Sequence, residues 1–365
     1  MKGSMSATNF ARAIAEGLLR ANDRFDLVKC PIADGGDGTA EVLVNGLNGI
    51  FVPVEVHDPL GRKITSRFGW LPESKCAIIE MAEASGLKLL TNNELDPMIA
   101  SSFGTGDLIQ ESIRIGAKKI ILGIGGSATI DGGLGMLKAM GFLLLDKSGN
   151  EIIDGGNGLI QLAEISSKNV STELFNCKIV IATDVANPLI GENGAANVYG
   201  PQKGATPKMI EELELGFQNY ISVMKQFTAI DLAVLVGGGA AGGIALPLVS
   251  ILNARIESGA ELVLEMLGIT NELKNYDLII TGEGCIDMQT LSGKGSGVIA
   301  MAARRTGIPV IAIGGTVKQE ASSLFDGMFS IMSTPGSLED SMRSAFNLTK
   351  ELSFELGKLI NVFIK

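Results

Sequence analysis

Short apolar runs rich in Val and Ile alternate along this chain with segments whose apolar residues fall three and four positions apart. That alternation predicts α/β architecture. Phe10, Ile14 and Leu18 share one face of a helix that Ser4 or Ser6 can cap and that runs through Arg20. "DLVKCPIA" (26–33) reads as a strand that opens into "DGGDGT" and the helix "AEVLVNGL". "IFVPVEV", "KITSRFGW" and "CAIIEMA" follow, joined by the turn signals "DPLGR" and "PESK". They predict an antiparallel meander, unlike its neighbours, and hence a second domain inserted into the first. Parallel-type units resume with "AKKIILGIGG" and "CKIVIATD", and a long amphipathic helix follows Pro207. The last third runs "YDLIITGEG", a helix from about Lys294, "PVIAIGG", "MFSIM" and a terminal helix from about Ser337. Residues 232–254 carry no charge and are long enough to span a bilayer. Five glycines and Pro247 make them read instead as a buried strand, a glycine turn and a packed helix.

Length and charge narrow the field. A chain of 365 residues is expected to hold two domains or one large one. The net charge of −10 argues against a nucleic-acid surface, which needs clustered Lys and Arg. Cys30, Cys76, Cys177 and Cys285 are far apart with no CxxC, the pattern of reduced thiols in a cytosolic protein. The opening "MKGSMSATNFARAIAEGLLR" has no apolar signal core. A cytoplasmic protein with neither membrane nor nucleic-acid partner is expected, and a homo-oligomer is compatible with it.

The single histidine, His57, is expected to be exposed beside a turn, and no Ser-His-Asp hydrolase or two-histidine metal site has its parts. No GxGxxG is followed by an acidic residue at dinucleotide-binding spacing, and the Walker A spacing fails at Met288. Carboxylates, lysines and glycine-rich turns remain. That set suits phosphoryl transfer, where positioning and charge neutralisation do most of the catalysis.

The grammar strand, glycine turn, acidic residue, helix recurs, and ligands of parallel sheets sit outside the carboxyl ends of strands. Asp34 in "PIADGGDGT" and Asp131 in "GIGGSATIDGG" each precede paired glycines, with Ser127 and Thr129 beside the second. Either carboxylate can take a proton from a hydroxyl, hold Mg²⁺ or merely cap a helix. Asp154 in "IIDGGNG" reads as a turn. "IATDVANPLIGENGAANVYGPQKGAT" offers Asp184, Asn187, Gln202 and Lys203, and "TGEGCIDMQTLSGKGSG" offers Gly282, Glu283, Asp287 and Lys294. Lysines beside glycines serve phosphates as point charges. Thr105 in "SSFGTGDLI" opens a helix whose N–H groups can hold a carboxylate.

Taken together, "KGSMSA", "PIADGGDGT", "EMAEASGL", "FGTGDLI", "GIGGSATIDGG", "DVANPLIGENGAA", "GPQKGAT", "GGGAAGG" and "DLIITGEGCIDMQT" closely resemble the bacterial-type glycerate kinase family, in the family's order. The resemblance implies a flavodoxin-like α/β domain built from both chain ends (1–50 and 275–365) and an inserted mixed α/β domain, restriction-enzyme-like (51–274). It implies ATP- and Mg²⁺-dependent phosphorylation of D-glycerate, usually at the 2-hydroxyl. Three departures stand out. Ile130 replaces the family's Asn, and Cys285 replaces its Arg, which shifts weight onto Lys294. The family also carries a strand and Asp-Ser-Phe ahead of Lys-Gly-Ser, whereas this chain begins Met1-Lys2-Gly3-Ser4; a start internal to the gene product or a shortened form is expected.

On this reading Lys2, Ser4, Gly35, Gly36, Thr105, Ser127 and Thr129 hold the substrate. Asp131 or Asp34 receives the hydroxyl proton, with Asp131 preferred because hydroxyls flank it. Asn187, Gln202, Gly282 and Glu283 meet the nucleotide, Asp184 and Asp287 the metal, and Lys203 or Lys294 the phosphates. Asp131→Asn is then expected to cut turnover and leave the fold intact. The alternatives are a kinase for a related hydroxy or sugar acid, told apart by substrate comparison, and a non-catalytic glycerate or nucleotide sensor, told apart by ADP release.

Overall fold

The computed structural model describes residues 4–33, 35–232, 235–291, 294–332 and 337–363, which leaves Lys2 and Asp34 outside the described residues. The chain divides into two compact units, Met1–Asp34 with Ala260–Lys365, and Gly35–Gly259. Both boundaries fall earlier in the chain than the expected 50/51 and 274/275.

The first unit begins with α1 (Ala7–Ala21), capped by the Ser6 hydroxyl accepting the Asn9 N–H, with Phe10, Ile14 and Leu18 buried as the periodicity requires. The strand expected over 26–33 does not form. Its alternation is present, with Leu27 packed on the α1 cluster and Val28 exposed, yet these residues enter no ladder among the described strands. Alternating burial makes a segment extended; cross-strand N–H···O=C bonds make it a strand.

The second unit opens with α2 (Thr39–Gly46) and the meander β1 (Ile50–His57), β2 (Lys63–Leu71) and β3 (Cys76–Glu80). The chain continues through α3 (Ala82–Ser85), α4 (Phe103–Arg114), β4 (Lys119–Gly123), α5 (Leu134–Ala139), β5 (Leu143–Leu145), α6 (Asn157–Gln161), β6 (Glu164–Ser166), α7 (Thr172–Phe175) and β7 (Lys178–Ala182). It closes with α8 (Ala195–Tyr199), α9 (Pro207–Thr228), α10 (Ala245–Leu252) and β8 (Arg255–Glu257). Six strands form one sheet in the order β1-β2-β3-β4-β7-β8. β1–β2–β3 pair antiparallel, as the meander predicts, and β3–β4–β7–β8 pair parallel. Ile78, Ile79, Ile120, Ile121 and Leu122 are wholly buried because helices cover both faces, the rule for parallel strands. Truncating any one of them to Ala would cost about 2–5 kcal/mol.

Two expectations within this unit are corrected. Residues 232–254 do supply the glycine turn and the helix α10, but the described residues at their start form no strand. Leu235 N–H donates to the Leu232 carbonyl at 3.2 Å, and Val236 is exposed. No described helix is long and apolar enough to cross a membrane. His57 is half-buried rather than loose: Nδ1 lies 2.8 Å from the Asp107 carboxylate and the ring packs edge-on against Phe103 at 5.0 Å.

The chain re-enters the first unit through α11 (Gly259–Met266) and α12 (Ile269–Glu272). Then come β9 (Ile279–Ile286), α13 (Met288–Leu291), α14 (Gly295–Thr306), β10 (Val310–Val317), β11 (Gly327–Ser330), α15 (Leu338–Arg343) and α16 (Ala345–Phe363). β11-β10-β9 is a parallel sheet with α14 as one crossover. The terminal helix expected from Ser337 is two helices, Ser337 capping the first. α1 and α16 lie close because Gly17 faces the Lys350 carbonyl and Gly357 faces Ala21, and the pairs Arg20–Glu351 and Lys350–Glu16 flank them.

Candidate functional site

In the second unit the carboxyl ends of β3, β4 and β7 lie side by side, with Glu80 opposite Gly123 and Gly123 opposite Ala182. The loop 35–38 crosses these tips. A Cβ on Gly123 would stand 2.6 Å from the Gly35 carbonyl oxygen, and one on Gly125 would stand 2.8 Å from Gly36 Cα. Gly35 has φ +82° and faces the Ala182 carbonyl. The two glycine-rich stretches therefore face one another: backbone rests on backbone, and no side chain fits between.

Asp131 lies beneath this surface, wholly buried. Its Oδ2 accepts from Ser102 N–H (2.8 Å), Ser102 Oγ–H (2.7 Å) and Gly135 N–H (3.2 Å), and its Oδ1 from Gly133 N–H (3.1 Å). Ser102 Oγ in turn accepts from Met136 N–H at 2.9 Å. The carboxylate thus joins the starts of α4 and α5, whose partial positive charges it neutralises. Burial pushes its pKa up against the pull of these donors. Three donors meet Oδ2 and one meets Oδ1, and three of the four are main-chain N–H groups, so of the groups facing a protonated acid only the Ser102 hydroxyl could accept its hydrogen. The geometry gives Asp131 the work of holding the loop.

Lys203 approaches the same loop from the short turn before α9 and is only 2% exposed. Its Nζ donates to Ser127 Oγ at 2.7 Å and to the Thr129 carbonyl at 2.8 Å. Burial pushes the ammonium down to about 7, with the Asp131 charge opposing. Thr129 Oγ1 is buried with no hydrogen-bond partner. Thr105 is also buried: its hydroxyl donates to Ser85 Oγ at 2.8 Å and its N–H to the Ser102 carbonyl at 3.0 Å. Tyr220 of α9 closes the floor by donating to the Gly132 carbonyl at 2.9 Å.

Sequence reasoning missed Glu80 and Ser102. Glu80 ends the otherwise apolar run of β3, and that lone charge closing a buried strand was the available signal. It is 7% exposed and accepts the Ala40 N–H at 2.7 Å, capping α2, while burial pushes its pKa up. It lines a pocket with Asp37, Arg67, Glu83 and Lys88. The Arg67 guanidinium stacks 4.1 Å from the Phe51 ring centroid, and Lys88 pairs with Glu83.

In the first unit β9 carries Glu283 in its carboxyl-terminal half, and the Glu283 Oε1 accepts from the hydroxyls of Thr290 (2.7 Å) and Ser296. Its Oε2 lies 3.5 Å from Lys294 Nζ, and both side chains are partly open, 18% and 32% exposed. Lys294 is the N-cap residue of α14, so a cation and helix N–H groups share one place. Gly282 is required where it stands, since a Cβ would meet the Ile313 carbonyl at 2.0 Å and the Phe10 ring at 2.7 Å. Asp287 is half-buried and accepts the Cys285 thiol at 3.5 Å.

Four further predicted residues lie elsewhere along the chain. Asn187 braces its own loop, accepting from Tyr199 OH (2.8 Å) and donating to the Asn193 carbonyl (2.9 Å). Gln202 is exposed, Ser4 is half-buried, and Asp184 accepts the Gly259 N–H at 3.1 Å. Among the described residues no three His, Cys, Asp or Glu side chains form a metal cage. Mg²⁺ needs no such cage when phosphates and water supply most of its oxygens.

In the second unit, parallel strands ending in glycine loops suit small anionic substrates, and in the first unit a helix start bearing a lysine suits phosphate. Residues 1–361 match the Glycerate kinase family. A glycerate 2-kinase of Escherichia coli (strain K12) is 39% identical over 350 residues, 95% of this chain and 92% of that protein. A glycerate kinase of Bacillus subtilis (strain 168) is 40% identical over 365 residues, 99% of this chain and 96% of that one. The crystal structure of a glycerate kinase 2 candidate from Salmonella typhimurium LT2 superposes with a TM-score of 0.87 at 40% identity, covering 99% of this chain and 96% of that chain. The chain belongs to the glycerate kinase family and is an enzyme of the kinase class.

Proposed function

We propose that this protein transfers the γ-phosphoryl group of ATP to D-glycerate, at the 2-hydroxyl, in the cytoplasm. The observation that carries the reading is a family match along almost the whole chain, with relatives near 40% identity named glycerate kinase and one of them glycerate 2-kinase. In the reaction the hydroxyl oxygen attacks the γ-phosphorus, the bond to the β,γ-bridging oxygen breaks, ADP leaves, and a carboxylate takes the hydroxyl proton. Asp131, saturated by four donors, keeps the substrate loop in shape, so the proton-acceptor role passes to Asp34. Lys2, Ser4, Gly35, Gly36, Thr105, Ser127 and Thr129 remain the substrate set. Gly282, Glu283, Asn187 and Gln202 are assigned to the nucleotide, with Lys294 on its phosphates. Asp184 and Asp287 would hold Mg²⁺, which when bound neutralises charge on the phosphate oxygens. The finer fold reading, a flavodoxin-like unit with a restriction-enzyme-like insertion, is part of the same proposal.

A coupled assay of ADP release tests the reading. Turnover with D-glycerate is expected to exceed that with tartronate, and phosphorus NMR of the product is expected to show 2-phosphoglycerate. ATP consumption with no phosphorylated glycerate would overturn it.

A further inference from the structure

We propose that Lys203 is a positioning residue that holds Ser127 as an outward hydrogen-bond donor, so that the turn after β4 reads an oxyanion of the substrate. This deepens the glycerate-phosphorylating reading above and rests on it. The chemistry lies in who can donate. An ammonium has N–H donors and no lone pair, so across the 2.7 Å contact a charged Lys203 must give a hydrogen bond to Ser127 Oγ. The Ser127 hydrogen is then left to point elsewhere. Ser127 is 5% exposed, and the preceding residue, Gly126, lies at the surface. A neutral amine could instead accept that hydrogen, and the donor would be turned inward.

Lys203 enters no ion pair among the described residues, although it is almost wholly buried. A buried charge without a partner is expensive, and the same loop carries a second cost in the unpartnered hydroxyl of Thr129. An anion at the loop offsets the first cost and selects the charged lysine. The groups facing Lys203 leave it free to respond. Asp131 is saturated by its donors, and Tyr220 of α9 is tied to Gly132. On the segment packed against Gly204, Asp96 accepts the Met98 N–H and Glu94 pairs with Arg62.

The sign of the linkage follows. In the free protein the Lys203 ammonium loses its proton near pH 7. Oxyanion binding favours the charged form, so above that pH binding takes up a proton, and affinity falls by up to about tenfold per pH unit as pH rises. Below it, binding takes up none through this group.

Calorimetric titration of the full chain with D-glycerate, inorganic phosphate or ADP, at about pH 6 and about pH 8.5 in two buffers of different ionisation enthalpy, reads this directly. Uptake approaching one proton at the higher pH is expected. Uptake with D-glycerate assigns the site to a carboxylate; uptake with phosphate or ADP assigns it to a phosphoryl group. Lys203→Arg should bind without uptake. Ser127→Ala and Lys203→Met should each raise KM about tenfold or more with a smaller change in kcat. No uptake with any oxyanion, together with a wild-type KM in folded Ser127→Ala, would overturn the proposal. Loss of phosphoryl transfer in the wild-type protein would instead sink the functional reading, because binding and proton uptake are measured without turnover.

Discussion

The turn after β4 and the carboxyl-terminal half of β9 are written in the same grammar and put to different use. Each sets glycine and an acidic residue at a parallel strand and leads on into a helix. After β4 the acid is Asp131, enclosed and saturated by main-chain and Ser102 donors, with Lys203 underneath. In β9 the acid is Glu283, partly open, held by two hydroxyls and facing Lys294 at a helix start. A wholly buried carboxylate held by four donors is structural; one that is itself partly open and faces a partly exposed lysine can exchange that partner for a ligand. The motif specifies that a charge sits at a strand tip, and burial decides what that charge does.

Removing the Asp131 charge should have the largest effect. Asp131→Asn would keep one acceptor oxygen but turn amide hydrogens either toward the Gly133 N–H or toward the N–H groups of Ser102 and Gly135, and would weaken the tie between the starts of α4 and α5. A loss of about 3–5 kcal/mol is expected, read from the urea midpoint. A variant that unfolds at the wild-type midpoint while losing turnover would return Asp131 to the chemical residues and erase the contrast.

The converse change belongs at Glu283 in β9. Glu283→Gln keeps an oxygen for Thr290 and Ser296, so stability should move by no more than about 1 kcal/mol. Losing the charge that holds Lys294 should lower kcat about tenfold to a hundredfold and raise the KM for ATP. Circular dichroism melts and initial rates on one preparation check both halves. An unfolded variant would make Glu283 as structural as Asp131.

How far the chain could be read without coordinates follows from the same contrast. Helix faces and strand tips were legible, because Phe10, Ile14 and Leu18, or the run ending at Leu122, announce burial by spacing alone. The segment 26–33 was misread because alternation records exposure and says nothing about a ladder partner. His57 was misread because its partner, Asp107, lies fifty residues on. Asp131 was picked out as an acid at a strand tip, but its role is set by Ser102, which no local pattern links to it. Glu80 and Lys203 share that difficulty: each draws its character from desolvation by segments distant in sequence.

The smallest test probes the one hydroxyl among these groups that has no partner. Thr129 Oγ1 is buried and unmatched, a cost of about 1–3 kcal/mol that valine, nearly the same shape, would remove. Part of that gain is lost because the methyl cannot reproduce the hydroxyl's size, so Thr129→Val should stabilise the chain by about 1 kcal/mol. If the hydroxyl is kept for substrate, the same variant should raise the KM for D-glycerate severalfold while its melting temperature goes up. Stability and binding moving in opposite directions would mark the loop after β4 as a ligand site built on a structural carboxylate. A variant no more stable than wild type would mean that the hydroxyl already has a partner in solution, and the orphaned group would no longer count toward a site there.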